Sequence, residues 1–164
     1  MLKHILPILF KLRPRMVYDI IRKQLGDAVP FARHCGVELL SIGDAVAEAR
    51  LPDRPELKNH IGSQHAAAMF ALAETASGGA MAGAFAPILL EVRPVAAEAK
   101  IAYLKVAKGP LTARATIAET GEALRARMAA DGKVRFPVAI DIRDEGGETV
   151  AAMTVDWYVS PKRA

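Results

Sequence analysis

The residues whose types and spacing could do chemistry lie close together. Asn59-x-x-Gly62-x-x-His65 leads into an apolar run, and Glu74 is the one ionisable residue between Ala66 and Gly83. A carboxylate held away from water has its pKa driven upward, and such a group can act as a base or a nucleophile. Each residue also has a plainer role open to it. Glu74 could bond to a neighbouring backbone or side chain at a subunit interface. Asn59 could be only a turn residue, and His65 only a side chain of a helix-capping region. The common spacing favours the catalytic reading.

The element that must position these residues is the stretch NHIGSQHAAAMFALAETASGGAMAG, residues 59 to 83. Its alanines favour helix because Ala loses no side-chain entropy there. The expected helix runs from Ser63, a good N-cap, to Gly83. Gly78-Gly79 and Gly83 loosen its end, and Pro87 forbids continuation. A helix apolar on nearly all sides must be surrounded on nearly all sides. A membrane-spanning reading is disfavoured by Glu74 near the middle, by the weak insertion energy of Ala and Gly, and by Pro87.

The flanking segments supply a sheet. GVELLSIGDAVAEARLP reads as a hairpin turned at Gly43-Asp44, with Pro52 and Pro55 opening the loop to Asn59. Ile88 to Val95 and Glu98 to Lys108 read as a strand pair, or as one long strand interrupted at Pro94. LTARATIAE alternates again, and Gly121 to Asp131 reads as a short inserted helix stopped by Gly132. The last segment is a long hairpin turned at Glu145-Gly146-Gly147, with Pro137 implying an edge position or a bulge. An antiparallel sheet with one apolar face needs a cover, and the 63–83 helix is the apolar element large enough.

Composition bounds the function. The chain has 164 residues, 52% of them apolar and 24% charged, enough for one globular domain with a proper core. The lone Cys35 cannot form an internal disulfide and reads as a small buried thiol. That suits a reducing compartment, and a cytoplasmic location is expected. His34 has no metal-spaced companion, and no metal is expected. The net charge of +4 belongs to one end: residues 1–25 carry six basic residues against Asp19, and the remainder carries sixteen against seventeen acidic ones. Three Tyr and one Trp give no stacking surface, so no nucleic-acid partner is expected. Residues 1–25 are read as a basic helical N-terminal extension and residues 26–164 as the domain. The extension packs over the domain or an oligomeric partner, or else rests on a membrane surface.

The Asn59/Gly62/His65 spacing, followed by Glu74 and Gly78, resembles the hotdog-fold acyl-CoA thioesterases. It looks most like the phenylacetate-pathway and 4-hydroxybenzoyl-CoA groups, in a separate branch. The likeness covers roughly residues 31 to 159. It implies an α+β fold, a curved antiparallel sheet wrapped around a long central helix. It also implies an acyl-CoA substrate, with coenzyme A as part of that substrate and no further cofactor. The family usually has Gly-Gly where this chain has Ala66-Ala67, and Ala there narrows the approach of a substrate carbonyl to the backbone.

Under that resemblance, Glu74, Asn59 and His65 are the catalytic candidates. Gly62, Ala66, Ser77, Gly78, Lys105 and Lys108 are the substrate-binding ones. A thioester carbonyl needs an oxyanion site, and the unpaired amides at a helix start, with the dipole behind them, offer one. The N–H of Ala66, helped by His65, is the candidate donor. Asn59 would orient the attacking water or the carbonyl. Lys105 and Lys108 could meet coenzyme A phosphates, although a solvated surface suits both. Nine residues of helix, from His65 to Glu74, span about 13–14 Å. One copy therefore cannot apply both ends to one carbonyl, and a two-fold homodimer, or a dimer of such dimers, is implied. The alternative is a hotdog protein that binds acyl groups without catalysis.

Overall fold

The computed structural model describes residues 2–162, with side chains from Ile5 onward. Lys3, one of the N-terminal basic residues, has its side chain outside the described set. Helices α1 (Leu2–Leu12), α2 (Pro14–Ala28) and α3 (Pro30–His34) open the chain. Strands β1 (Glu38–Gly43) and β2 (Val46–Leu51) follow, then the central helix α4 (Ala66–Ala84). Strands β3 (Val92–Tyr103) and β4 (Leu111–Thr116), helix α5 (Gly121–Asp131), and strands β5 (Val134–Arg143) and β6 (Thr149–Pro161) complete it. The strands form one antiparallel sheet in the order β1-β2-β4-β5-β6-β3.

The expected architecture is present. α4 packs against β1, β2, β4, β5 and β6. Five strands side by side span about 19 Å, whereas a helix is about 10 Å across, so the sheet must curve around it. Strict alternation puts one face of each strand inward: Leu111, Ala113 and Ala115 on β4, and Val134, Phe136, Val138, Ile140 and Ile142 on β5. Small residues let the helix approach closely. A Cβ at Gly83 would overlap the carbonyl oxygen of Gly43, so glycine there fixes the depth at which α4 seats on the β1–β2 hairpin.

Several local expectations are corrected. The β1–β2 turn lies at Asp44-Ala45, not Gly43-Asp44, with Ala45 at φ 59°. The Asp44 carboxylate accepts from the N–H of Gly121 at 3.1 Å, which ties the turn to the start of α5. Residues 86–91 form a 3-10 helix rather than strand, because Pro87 suits a first helical turn. The strand then runs unbroken through Pro94 from Val92 to Tyr103, with an irregularity between Ala96 and Glu98. It stops short of Lys105 and Lys108, which sit in the following loop. Pro137 lies on an interior strand, but β4 pairing stops at Ala139, so its missing N–H leaves no ladder bond unmade on that side.

The N-terminal helices pack on this domain. α2 lies against β1 and places Val17 and Ile21 in the core, while α1 packs on α2 and on the 86–91 turn. Phe10 and Tyr18 meet edge to face at 5.5 Å across the α1–α2 junction. Among the described residues no helix is long and apolar enough to cross a membrane.

Candidate functional site

The loop 59–65 is built by Asn59. Its Oδ1 accepts from the N–H of Ile61 and of Ser63, both at 3.1 Å. Its Nδ2 donates to Ser63 Oγ at 2.7 Å, and its own N–H donates to the Ser63 carbonyl at 2.9 Å. Gly62 closes the turn at φ +75°, in the left-handed region where a Cβ is strained. Gln64, almost fully buried, anchors the loop: Nε2 donates to the carbonyls of Pro52 (3.2 Å) and Gly109 (2.8 Å), and its N–H donates to Ala107. The Asn59 amide thus acts within the loop.

Helix α4 begins at Ala66, and its N-cap is His65 rather than Ser63. His65 has an extended backbone (φ −69°, ψ 140°), and its Nδ1 accepts from the N–H of Ala67 at 3.0 Å. Ser63 instead is buried and bonded to Asn59. Capping through Nδ1 leaves the neutral imidazole with its proton on Nε2, so that edge of the ring donates. The N–H groups of Ala68 and Met69 turn back to the His65 carbonyl. The N–H of Ala66 has no acceptor among the described residues, and His65, Ala66 and Ala67 are all exposed. An unpaired amide, a second N–H donor and the positive end of a 19-residue helix therefore share one place.

Two clefts flank this helix start. One, of about 390 Å³, is lined by Asn59, Ile61, Ala66, Met69, Tyr103 and Lys105 among others. The other, of about 530 Å³, is lined by Phe31, His34, Cys35, Arg54, His65 and Ala67 among others. Gly62, Glu74, Ser77, Gly78 and Lys108 line neither. Lys105 is engaged in an ion pair with Glu148. Lys108 is exposed and forms no ion pair among the described residues.

Glu74 lies two turns further along α4. Most of α4 is buried, but one stripe of it is not fully covered: Ala66 is exposed and Phe70, Glu74 and Gly78, at successive i+4 positions, are half-buried, with exposed Ala67 and half-buried Thr75 beside it. Burial without a charged partner pushes the Glu74 carboxyl above the ordinary carboxylate range. Ser77 is fully buried, donating to the Glu74 carbonyl at 2.7 Å and accepting from Trp157 Nε1 at 3.2 Å. Its hydroxyl proton is used inside the fold. The Trp157 ring also flanks Gly78, where an added Cβ would make ordinary contact at 3.8 Å. Eight residues separate Ala66 from Glu74, about 12 Å along the axis, so the structure does not bring the two together within one copy.

Sequence reasoning missed Tyr103. Its hydroxyl donates to the Ala66 carbonyl at 3.0 Å and lines the same cleft. Burial raises its pKa, so it stays a donor. Strand periodicity carried that residue, but only the register of β3 brings it over the start of α4.

The fold places the chain among hotdog proteins. A Pseudomonas aeruginosa structure described as a probable thioesterase is 25% identical, with a TM-score of 0.76, covering 88% of this chain and 95% of that one. The Escherichia coli PaaI protein of the phenylacetic acid degradation operon is 21% identical (TM-score 0.61; 82% and 95% covered). A mutant form of the phenylacetic acid degradation protein PaaI from Thermus thermophilus is 18% identical (TM-score 0.63; 79% and 98% covered). The chain belongs to the family described as "Domain of unknown function (DUF4442)", whose model matches residues 19–159. No curated protein gives a significant match.

Proposed function

We propose that this chain is an acyl-CoA thioesterase whose active site is shared between two copies. The observation that carries the reading is the incompletely covered stripe of α4. It has a free amide donor at Ala66 and, two turns on, a desolvated carboxylate at Glu74. The likeness to a probable thioesterase supports the reaction class.

In this reading the thioester carbonyl oxygen sits against the Ala66 N–H and His65 Nε2, which take up the charge of the tetrahedral intermediate. Tyr103 holds the Ala66 carbonyl and with it the orientation of the first turn. Glu74 of the second copy takes a proton from water, which adds to the carbonyl carbon, or it attacks that carbon itself. Collapse expels the coenzyme A thiolate, which takes up the proton; where Glu74 itself attacked, water then hydrolyses the acyl–Glu74 anhydride and restores the carboxylate. A raised pKa brings the carboxylate nearer the working pH, which improves it as a base. Ile61, Leu104 and Val106, each more than half exposed beside the Ala66 cleft, suit an acyl chain.

The sheet also supports a second copy. β3 is a twelve-residue edge strand with almost every side chain outside the core, including exposed Val95 and Tyr103. A long open edge of this kind is a template for pairing. Pairing of two β3 edges about a two-fold axis would run the two α4 helices antiparallel, each lending Glu74 to the other's start. A dimer of such dimers is compatible with the same contact.

One observation favours the alternative, a non-catalytic acyl-binding protein: the Asn59 amide is committed to its loop and has little left to orient water. A panel of acyl-CoA substrates monitored by free thiol release separates the two. Turnover with at least one acyl-CoA is expected. Acyl-CoA binding in a thermal-shift assay without thiol release from any member would select the non-catalytic reading.

A further inference from the structure

Helix α1 is apolar over a wider arc than its packing uses. Leu6, Leu9 and Phe10 face the core cluster, while Ile5, Ile8 and Leu12, at i, i+3 and i+7, form a second stripe turned outward. Ile8 is 63% exposed and Leu12 73%. Beyond the break at Arg13, α2 carries exposed Met16 and Ile20, and Val29 and Phe31 follow as exposed residues, Phe31 at 64%. Seven large apolar side chains on one stretch exceed the scattered singles normal for a protein surface.

The charges around this line are one-sided. Lys11, Arg13, Arg15 and Lys23 are exposed and form no ion pair among the described residues. Arg22 approaches Asp19 at 3.8 Å and donates to the Leu39 carbonyl. Asp19 and Asp27 are the acidic residues of the segment, against six basic ones between Met1 and Leu25. A second copy docking here about a two-fold axis would set like charge against like charge. An anionic surface is complementary instead, and an apolar stripe flanked by cations is the pattern of a helix that lies in a lipid interface. α1, at eleven residues, is about 16 Å long and too short to span a bilayer.

We infer that the outward face of α1 and α2, from Ile5 to Phe31, docks this protein on anionic phospholipid bilayers, with Ile8 and Leu12 entering the acyl boundary and Lys11, Arg13, Arg15 and Lys23 meeting the headgroups. Because Phe31 also lines the cleft beside His65, docking would hold that cleft close to the lipid surface.

Co-sedimentation of the full chain with vesicles tests this. Binding is expected to phosphatidylcholine vesicles containing phosphatidylglycerol, and it should weaken by roughly tenfold or more with phosphatidylcholine alone or at high salt. Ile8→Asp with Leu12→Asp, both at exposed positions, should lower binding to the anionic vesicles by at least about tenfold. Lys11→Glu with Arg15→Glu should do the same without touching any apolar contact. Circular dichroism and light scattering on the same samples check fold and mass. Absence of binding to anionic vesicles, or binding by both double variants equal to that of the parent, would overturn the inference. So would an aspartate variant that loses an oligomer yet still binds vesicles, which would assign the face to a second copy.

Discussion

Glu74 is the residue on which the proposed chemistry rests, and its environment gives two expectations. Glu74→Gln keeps the shape and loses the charge, so thiol release should fall by about 10²- to 10⁴-fold, the usual contribution of a general base. The variant should also be more stable than the parent at neutral pH. The folded-state pKa of Glu74 is raised by burial, so the protonated form is the one the fold prefers. Its favourable contribution is complete below the ordinary carboxylate range and is lost as pH rises through the raised folded value. Thermal melts of the two proteins should therefore converge in acid and separate toward neutrality. A separation that is absent or reversed at neutral pH would mean that Glu74 is held ionised by a partner.

Ala66 offers an equally clean change at the residue scale. It is the first helical position, its N–H bonds to nothing described, and His65 before it already has the extended backbone that a following proline requires. Ala66→Pro should therefore preserve the helix while deleting one of the two proposed oxyanion donors. Loss of about 10²- to 10³-fold in kcat is expected, with an unchanged circular dichroism spectrum. Retained turnover would remove the Ala66 amide from the mechanism.

At the scale of elements, the helix is held at its working depth by small residues. Gly83 meets the Gly43 carbonyl, and Gly79 lies against Ala47 and Leu39. Alanine is the better helix former by about 1 kcal/mol, so propensity alone predicts that Gly83→Ala stabilises. Overlap with a backbone oxygen outweighs that gain, and a net loss of about 1–3 kcal/mol in urea unfolding is expected. A stabilised Gly83→Ala protein would show that the hairpin yields and that the seat of α4 is soft.

For the whole molecule, the decisive property is that Ala66 and Glu74 cannot meet within one copy. If the proposed dimer forms the site, Ala66→Pro and Glu74→Gln homodimers should each be inactive. Mixing them by co-refolding gives heterodimers in which one site carries both lesions and the other neither. Activity should return to about one quarter of the parent value in a random equimolar mixture, since half the dimers are mixed and each has one intact site. Mixtures that contain heterodimers by mass spectrometry and stay inactive would exclude a shared site.

The central helix, its lone carboxylate, the hairpins and the sheet that must cover an apolar cylinder were all legible in the sequence, because hydrophobic periodicity and glycine or proline punctuation are local signals. The asymmetric N-terminal charge was legible too. Other features depended on contacts between distant segments. His65 takes the N-cap from Ser63 because Asn59 has already claimed the serine hydroxyl. The hairpin turn moves to Asp44-Ala45 because its carboxylate finds Gly121, and Gly43 meets the helix instead. Tyr103 reaches the Ala66 carbonyl only because the β3–β6 register ends the strand there. That Glu74 shares one incompletely covered stripe with Ala66 also required the folded sheet. Periodicity shows that a helix is apolar all round, but which face the strands leave open is set by where the sheet's edge falls.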